Sequence, residues 1–162
     1  MKEETKPVIE KQTKDPEEIR EFMKVLESMA ERILLPNNII KNVDINKDGK
    51  IDGYQFDIAN PFYTAESIAS VNDIKAKVDE AKIPSEKIYL IARGQLIKMK
   101  NANTMHEVWW GFGEVISVYI EKIGGIEKGN HELDVILRMR TTITYGFPSG
   151  LLFPSKKSMI VN

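Results

Sequence analysis

The chain has 162 residues, 42% of them apolar and 29% charged, with a formal net charge of -1. That balance suits one packed domain with a modest extension and argues against both disorder and a polyanion-binding surface, so no nucleic-acid partner is expected. The absence of cysteine excludes disulfides, thiolate zinc sites and a cysteine nucleophile, and it fits a reducing compartment.

The first fourteen residues are polar and unpatterned, so they are expected to fray, and they lack the apolar stretch of a signal peptide. No later run approaches the roughly 18 apolar residues of a membrane span. The expectation is a cytoplasmic protein with no membrane partner. Asp15 then precedes Pro16, Glu17 and Glu18, which supply a capping oxygen, a proline suited to the first turn and carboxylates at the positive helix end. Ile19, Phe22, Met23, Leu26, Met29, Ala30 and Ile33 recur at three- and four-residue steps, which predicts an amphipathic helix ended before Pro36.

After Pro36 the period becomes alternating. Segments 39–45 and 50–58 flank Asn46-Lys47-Asp48-Gly49, whose residues tolerate positive φ, and a hairpin is predicted there. Asn60-Pro61 ends its second strand, and 62–72 reads as loop. Short strands are predicted at 73–78 and 87–92 around the turn at Ile83-Pro84-Ser85, with another at 95–99. Segment 133–145 alternates most clearly, with Leu133, Val135, Leu137, Met139, Thr141, Ile143 and Tyr145 on one face. It is expected to pair antiparallel with 115–123 across the glycine-rich loop between them. The fold class predicted is mainly β: an antiparallel β-sandwich or jelly-roll-like domain over 36–162, with the tail and amphipathic α-helix in 1–35.

Few constellations suggest chemistry. Asp44, Asn46, Asp48 and Asp52 match the front of a calcium loop, with glycine at the sixth position. The twelfth position is Gln55, not glutamate, and strand follows where an EF-hand needs helix, so the ordinary reading is an acidic hairpin tip. His106 and His131 have no partner at metal-ligand spacing, and no metal site is expected in the chain. His131 reads as a hydrogen-bonding residue just before a strand; His106, beside Glu107, is a solvent-facing residue or part of a site lip. No nucleophile elbow, P-loop or dinucleotide fingerprint occurs. Trp109 and Trp110 are adjacent, and neighbours in a strand point to opposite faces, so one is expected to be available for contact. Either one fills the core while the other covers the helix, or one offers a flat surface to a sugar, a polyphenol or a protein. Phe62 and Tyr63, after Asn60-Pro61, are likewise core plugs or an aromatic contact.

From Asn38 to Tyr145 the order of motifs resembles the beta subunit of bacterial C-glycoside deglycosidases. The resemblance rests on Asn38-Ile39-Ile40-Lys41-Asn42-Val43, on Gly49-Lys50-Ile51-Asp52-Gly53-Tyr54-Gln55-Phe56-Asp57 and on Asn60-Pro61-Phe62-Tyr63. It continues in Ile74-Lys75-Ala76-Lys77-Val78-Asp79 with Ile83-Pro84, in Trp110-Gly111-Phe112-Gly113, and in Gly124-Gly125 leading to Gly129-Asn130-His131-Glu132-Leu133. The chain departs at Tyr63-Thr64-Ala65-Glu66, where an arginine-glycine pair is expected, and at Ile97-Lys98-Met99-Lys100, where the family is acidic. The helix lies outside the family pattern.

The resemblance implies a β-sandwich that assembles with a TIM-barrel alpha subunit holding a divalent metal, manganese or magnesium. The implied reaction splits the carbon–carbon bond of a 3-oxo C-glycoside bearing an aromatic aglycone. This chain would carry no cofactor and no catalytic residue, and Phe62, Tyr63, His106, Trp109 and Trp110 would contact substrate or partner at a shared site. A stand-alone carbohydrate- or protein-binding sandwich is the alternative, and a calcium-modulated interaction domain a third.

Overall fold

A computed structural model describes residues 15–140 and 150–162. The expectations for 1–14 and for Thr141, Ile143 and Tyr145 lie outside the described residues. Helix α1, Pro16–Ile33, starts where the sequence places it: the Asp15 carboxylate accepts from the Glu17 N–H at 3.1 Å and Pro16 opens the first turn. The helix packs along the last strand. Ala30, Leu34 and Leu35 are fully buried with the main core, and Lys157 Nζ donates to the Leu35 carbonyl at 3.1 Å.

Eleven strands follow among the described residues: β1 Ile39–Val43, β2 Gly53–Ala59, β3 Glu66–Ser67, β4 Val71–Val78, β5 Ala81–Lys82, β6 Ile88–Ala92, β7 Gln95–Lys98, β8 Trp109–Trp110, β9 Val115–Glu121, β10 Gly129–Met139 and β11 Leu151–Val161. Nine form one sheet in the order β5-β4-β10-β11-β1-β2-β9-β6-β7, and β3 pairs with β8 alone. The sheet curls until β4 and β5 face β2 and β9, giving a sandwich-like half-barrel around a single apolar core that includes Phe56, Phe62, Trp110 and Phe153. The mainly-β expectation holds. The sheet is mixed rather than purely antiparallel, because β1 and β11 meet in parallel, Ile39 beside Ile160 and Ile40 beside Val161.

The β1–β2 hairpin forms as predicted, Ile40 opposite Phe56 and Val43 opposite Gly53. Three expectations need correction. The segment 62–72 is not all loop: β3, a short 3-10 turn at Ile68–Ser70 and the start of β4 lie within it, because the Ser67 side chain caps that turn while the backbone of Glu66 and Ser67 pairs with β8. Strands β9 and β10 are not neighbours; β9 lies between β2 and β6, and β10 between β4 and β11. The glycine-rich loop between them instead crosses to the β1–β2 hairpin, where the Asn42 amide bridges the N–H and carbonyl of Ile126 at 2.9 Å each and the Gly124 N–H donates to the Ile51 carbonyl. Finally, His131 lies inside β10, not before it, and β11 is a full strand that the sequence pattern did not disclose.

Candidate functional site

The two ends of β2 carry the two groups of loops in which function can reside. At the Ala59 end, Asn60 is buried and its amide nitrogen reaches the carbonyls of Thr64 at 3.0 Å, Trp110 at 3.1 Å and Gly111 at 3.3 Å. Its oxygen accepts from the Phe62 N–H at 2.9 Å. One side chain thus joins the 60–64 loop to β8, which explains why Asn-Pro follows the strand: a buried amide satisfies backbone groups that neither segment can pair by itself. Ser67 Oγ, 3.0 Å from the carbonyls of both Met105 and His106, holds the segment before β8. Trp110 Nε1 donates to the Glu114 carbonyl at 2.7 Å. The Glu114 carboxylate takes the Arg93 guanidinium and the Gly111 N–H, and these contacts, Arg93 first, hold its pKa below the usual glutamate range.

On this frame the aromatic residues divide. Of the expected contact residues, Trp110 and Phe62 are buried in the chain by itself, the first with no exposed surface, so they reach a ligand or partner only if the core opens. Trp109 is 53% exposed and Tyr63 58%, the latter stacked on Phe62 with ring centroids 4.5 Å apart. His106, shortly before Trp109 in sequence, is exposed. Phe112, which the sequence reading did not single out, is 73% exposed. Its setting between Gly111 and Gly113, the latter at φ +70°, was the available signal: a side chain at a glycine-flanked turn tip has little to pack against.

At the Gly53 end the chemistry is ionic. His131 Nδ1 lies 2.6 Å from Asp79 Oδ2 and Nε2 lies 2.7 Å from the Glu127 carbonyl, so both ring nitrogens face acceptors and the imidazolium is favoured. The Asp79 hydrogen bond is the main cause of a raised His131 pKa; the Glu132 N–H, then His131, lower that of Asp79. Glu121 accepts from Lys87 at 2.9 Å and Tyr89 at 3.0 Å. These groups rim a cavity of about 570 Å³ that Tyr54 also lines.

The acidic loop closes the hairpin. Asp44, Asp48 and Asp52 each place a carboxylate oxygen within 4.8 Å of the others. Asp44 accepts from the Asp48 and Gly49 N–H groups, Asp52 from those of Ile45 and Asn46, and Asp48 from Lys50. Gln55 is held in β2 opposite Lys41 and Tyr119, away from this ring. The loop's own amides thus take up both carboxylate oxygens of Asp44 and of Asp48 and one of Asp52.

No curated protein sequence matches the chain. Among protein families, residues 30–145 match that described as C-glycoside deglycosidase beta subunit. The match spans everything from the last turn of α1 through β10 and includes both ends of β2, in agreement with the motifs read from the sequence: the chain belongs to the C-glycoside deglycosidase beta subunit family.

Proposed function

We propose that this chain is the accessory subunit of a cytoplasmic complex that cleaves the carbon–carbon bond of 3-oxo C-glycosides, and that its Ala59-end loops cover the substrate mouth of a TIM-barrel alpha subunit. The observation that carries this reading is the exposure of Tyr63, Trp109 and Phe112 on loops fixed by the buried Asn60 amide. Large rings held in water on a rigid base bring contact area at little entropic cost, which suits a protein surface or an aromatic aglycone.

The chain's own role is to bind, orient and exclude water. His131 has both ring nitrogens engaged, so it offers no free lone pair as a base. A divalent metal, manganese or magnesium, belongs in this reading to the partner, where it would polarise the oxidised sugar. Among the described residues no helix is long and apolar enough to cross a membrane.

The test is co-expression with an isomerase-like barrel partner, with co-elution and turnover of a 3-oxo C-glycoside as readouts. Trp109→Ala is expected to weaken assembly about tenfold or more, as truncation of an interface anchor does. Turnover by the lone chain, or unchanged assembly and turnover in the variant, overturns the proposal. Sugar binding by the lone chain that needs Trp109 would instead support a stand-alone carbohydrate-binding module.

A further inference from the structure

We propose that the cavity at the Gly53 end of the curled sheet, with the Tyr54 hydroxyl at its floor, binds a small carboxylate that has an apolar body. The site is independent of the aromatic loops, which lie at the other end of β2, roughly 20 Å away at about 3.3 Å per residue. Its volume of about 570 Å³ is that of a small-molecule pocket.

Tyr54 is the first observation. It is 3% exposed and lines the cavity, yet its hydroxyl has no hydrogen-bond partner among the described residues. Tyr89, by contrast, donates to Glu121. The hydroxyl is not a buried orphan, since among the described residues only Ser155 Oγ is a fully buried side-chain oxygen without a partner; the packed ring instead holds the Tyr54 hydroxyl at the open cavity, where water or a ligand can reach it. Burial, and next the Asp79 charge, push the Tyr54 pKa up to about 12, so the hydroxyl keeps its proton and presents a donor. A donor fixed at the cavity and unused by the chain is available to an acceptor oxygen of a ligand in place of water.

The charges at the rim say which kind of oxygen. Asp79 is engaged by His131 and the Glu132 N–H, and Glu121 by Lys87 and Tyr89. Lys82 and Lys122 also line the cavity and have no ion-pair partner among the described residues, against the single carboxylate of Glu127. The spare charge is positive and modest, which matches one carboxylate better than a neutral group or a multiply charged phosphate. The remaining wall is aliphatic, from Val78, Ile83, Pro84, Ile120 and Ile126, and suits an apolar body rather than a polyol.

The experiment titrates the full chain with cinnamate, benzoate and hexanoate by calorimetry, with cinnamyl alcohol and inorganic phosphate as neutral and bare-anion probes. At least one carboxylate is expected to bind in the millimolar range or tighter, and more tightly than either control. Tyr54→Phe is expected to weaken it roughly tenfold or more, the value of one hydrogen bond to a charged group. Lys82→Ala with Lys122→Ala is expected to weaken it further, and Lys24→Ala, on the exposed side of α1, to change nothing. Without ligand, Tyr54→Phe is expected to melt no lower than the parent, because only an unpaired hydroxyl is lost. Binding by no carboxylate, equal binding by Tyr54→Phe, or equal affinity for cinnamyl alcohol overturns the proposal. A clear loss of melting temperature in Tyr54→Phe overturns it as well, since the hydroxyl would then have a structural partner.

Discussion

At the Ala59 end of β2 the loops hang on a buried amide, while at the Gly53 end they are joined by ion pairs in partial contact with water. In the first, the side chains that pack, Phe62 and Trp110, alternate with neighbours that do not, Tyr63 and Trp109. Exposure of the second set therefore costs the fold little, and they are free to serve a contact. In the second, the charged side chains both hold the loops and rim the cavity. A change there perturbs structure and site together. The comparison separates an end whose exposed groups are dispensable to stability from one whose exposed groups are part of it.

The largest expected effect tests this division within one dipeptide. Trp110→Ala empties a fully buried site and removes the donor to the Glu114 carbonyl, so a loss of about 3–5 kcal/mol in unfolding free energy is expected from denaturant titration. Trp109→Ala, on the opposite face of β8, is expected to stay within about 1 kcal/mol of the parent. Equal losses in the two variants would mean that the exposed ring is structural and would remove the basis for the assembly role.

Next in size is a change at the other end. A Cβ at Gly53 would sit 2.1 Å from the Ile120 carbonyl oxygen and 2.7 Å from Cε2 of Tyr119, so β2 can approach β9 there only without a side chain. Gly53→Ala is expected to cost about 1–3 kcal/mol by forcing those strands apart. The same displacement would move Tyr54, its neighbour, and weaken carboxylate binding while leaving assembly through the aromatic loops intact. Loss of assembly with carboxylate binding retained would invert the assignment of the two ends.

Much of this was legible in the chain wherever the determining contacts are local. The α1 cap, the β1–β2 hairpin and the exposure of one of the two adjacent tryptophans follow from neighbouring residues, because capping, turn chemistry and strand alternation act over a few positions, whereas which tryptophan faces out is decided by the core. The β9–β10 pairing failed because Gly124-Gly125 and Lys128-Gly129-Asn130 look like a hairpin connection, while the loop's actual partners, Asn42 and Ile51, are about eighty residues earlier in the chain. Strand β11 was hidden by Pro154 and the lysines that follow it. Proline is tolerated there because β1 pairs only with Ile160 and Val161, so the earlier part of β11 has strand β10 on one side and helix α1 against it. Tyr54 gave no signal of its own: Tyr54, Phe56 and Ile58 alternate as an ordinary core face, and only the curl of the sheet leaves its hydroxyl over a cavity.

The smallest expected effect separates the ends by pH. Contacts raise the His131 pKa above the ordinary 6.5, so the stability it contributes is complete below that value and is lost as pH rises through its folded pKa. Asp79 is lowered from 3.8, so its contribution is present above that value and is lost as pH falls through its folded pKa. At the aromatic end, Glu114 is lowered by Arg93 and Gly111, so that contribution too is lost as pH falls through its folded pKa. The melting temperature of the parent is thus expected to decline modestly above 6.5, since Asp79 is half exposed and such pairs are screened, and the decline is expected to vanish in His131→Gln and to persist in Trp109→Ala. A decline of equal size in His131→Gln would show that the Asp79–His131 pair does not secure the Gly53-end loops, leaving Asn42 and the backbone bonds to do so.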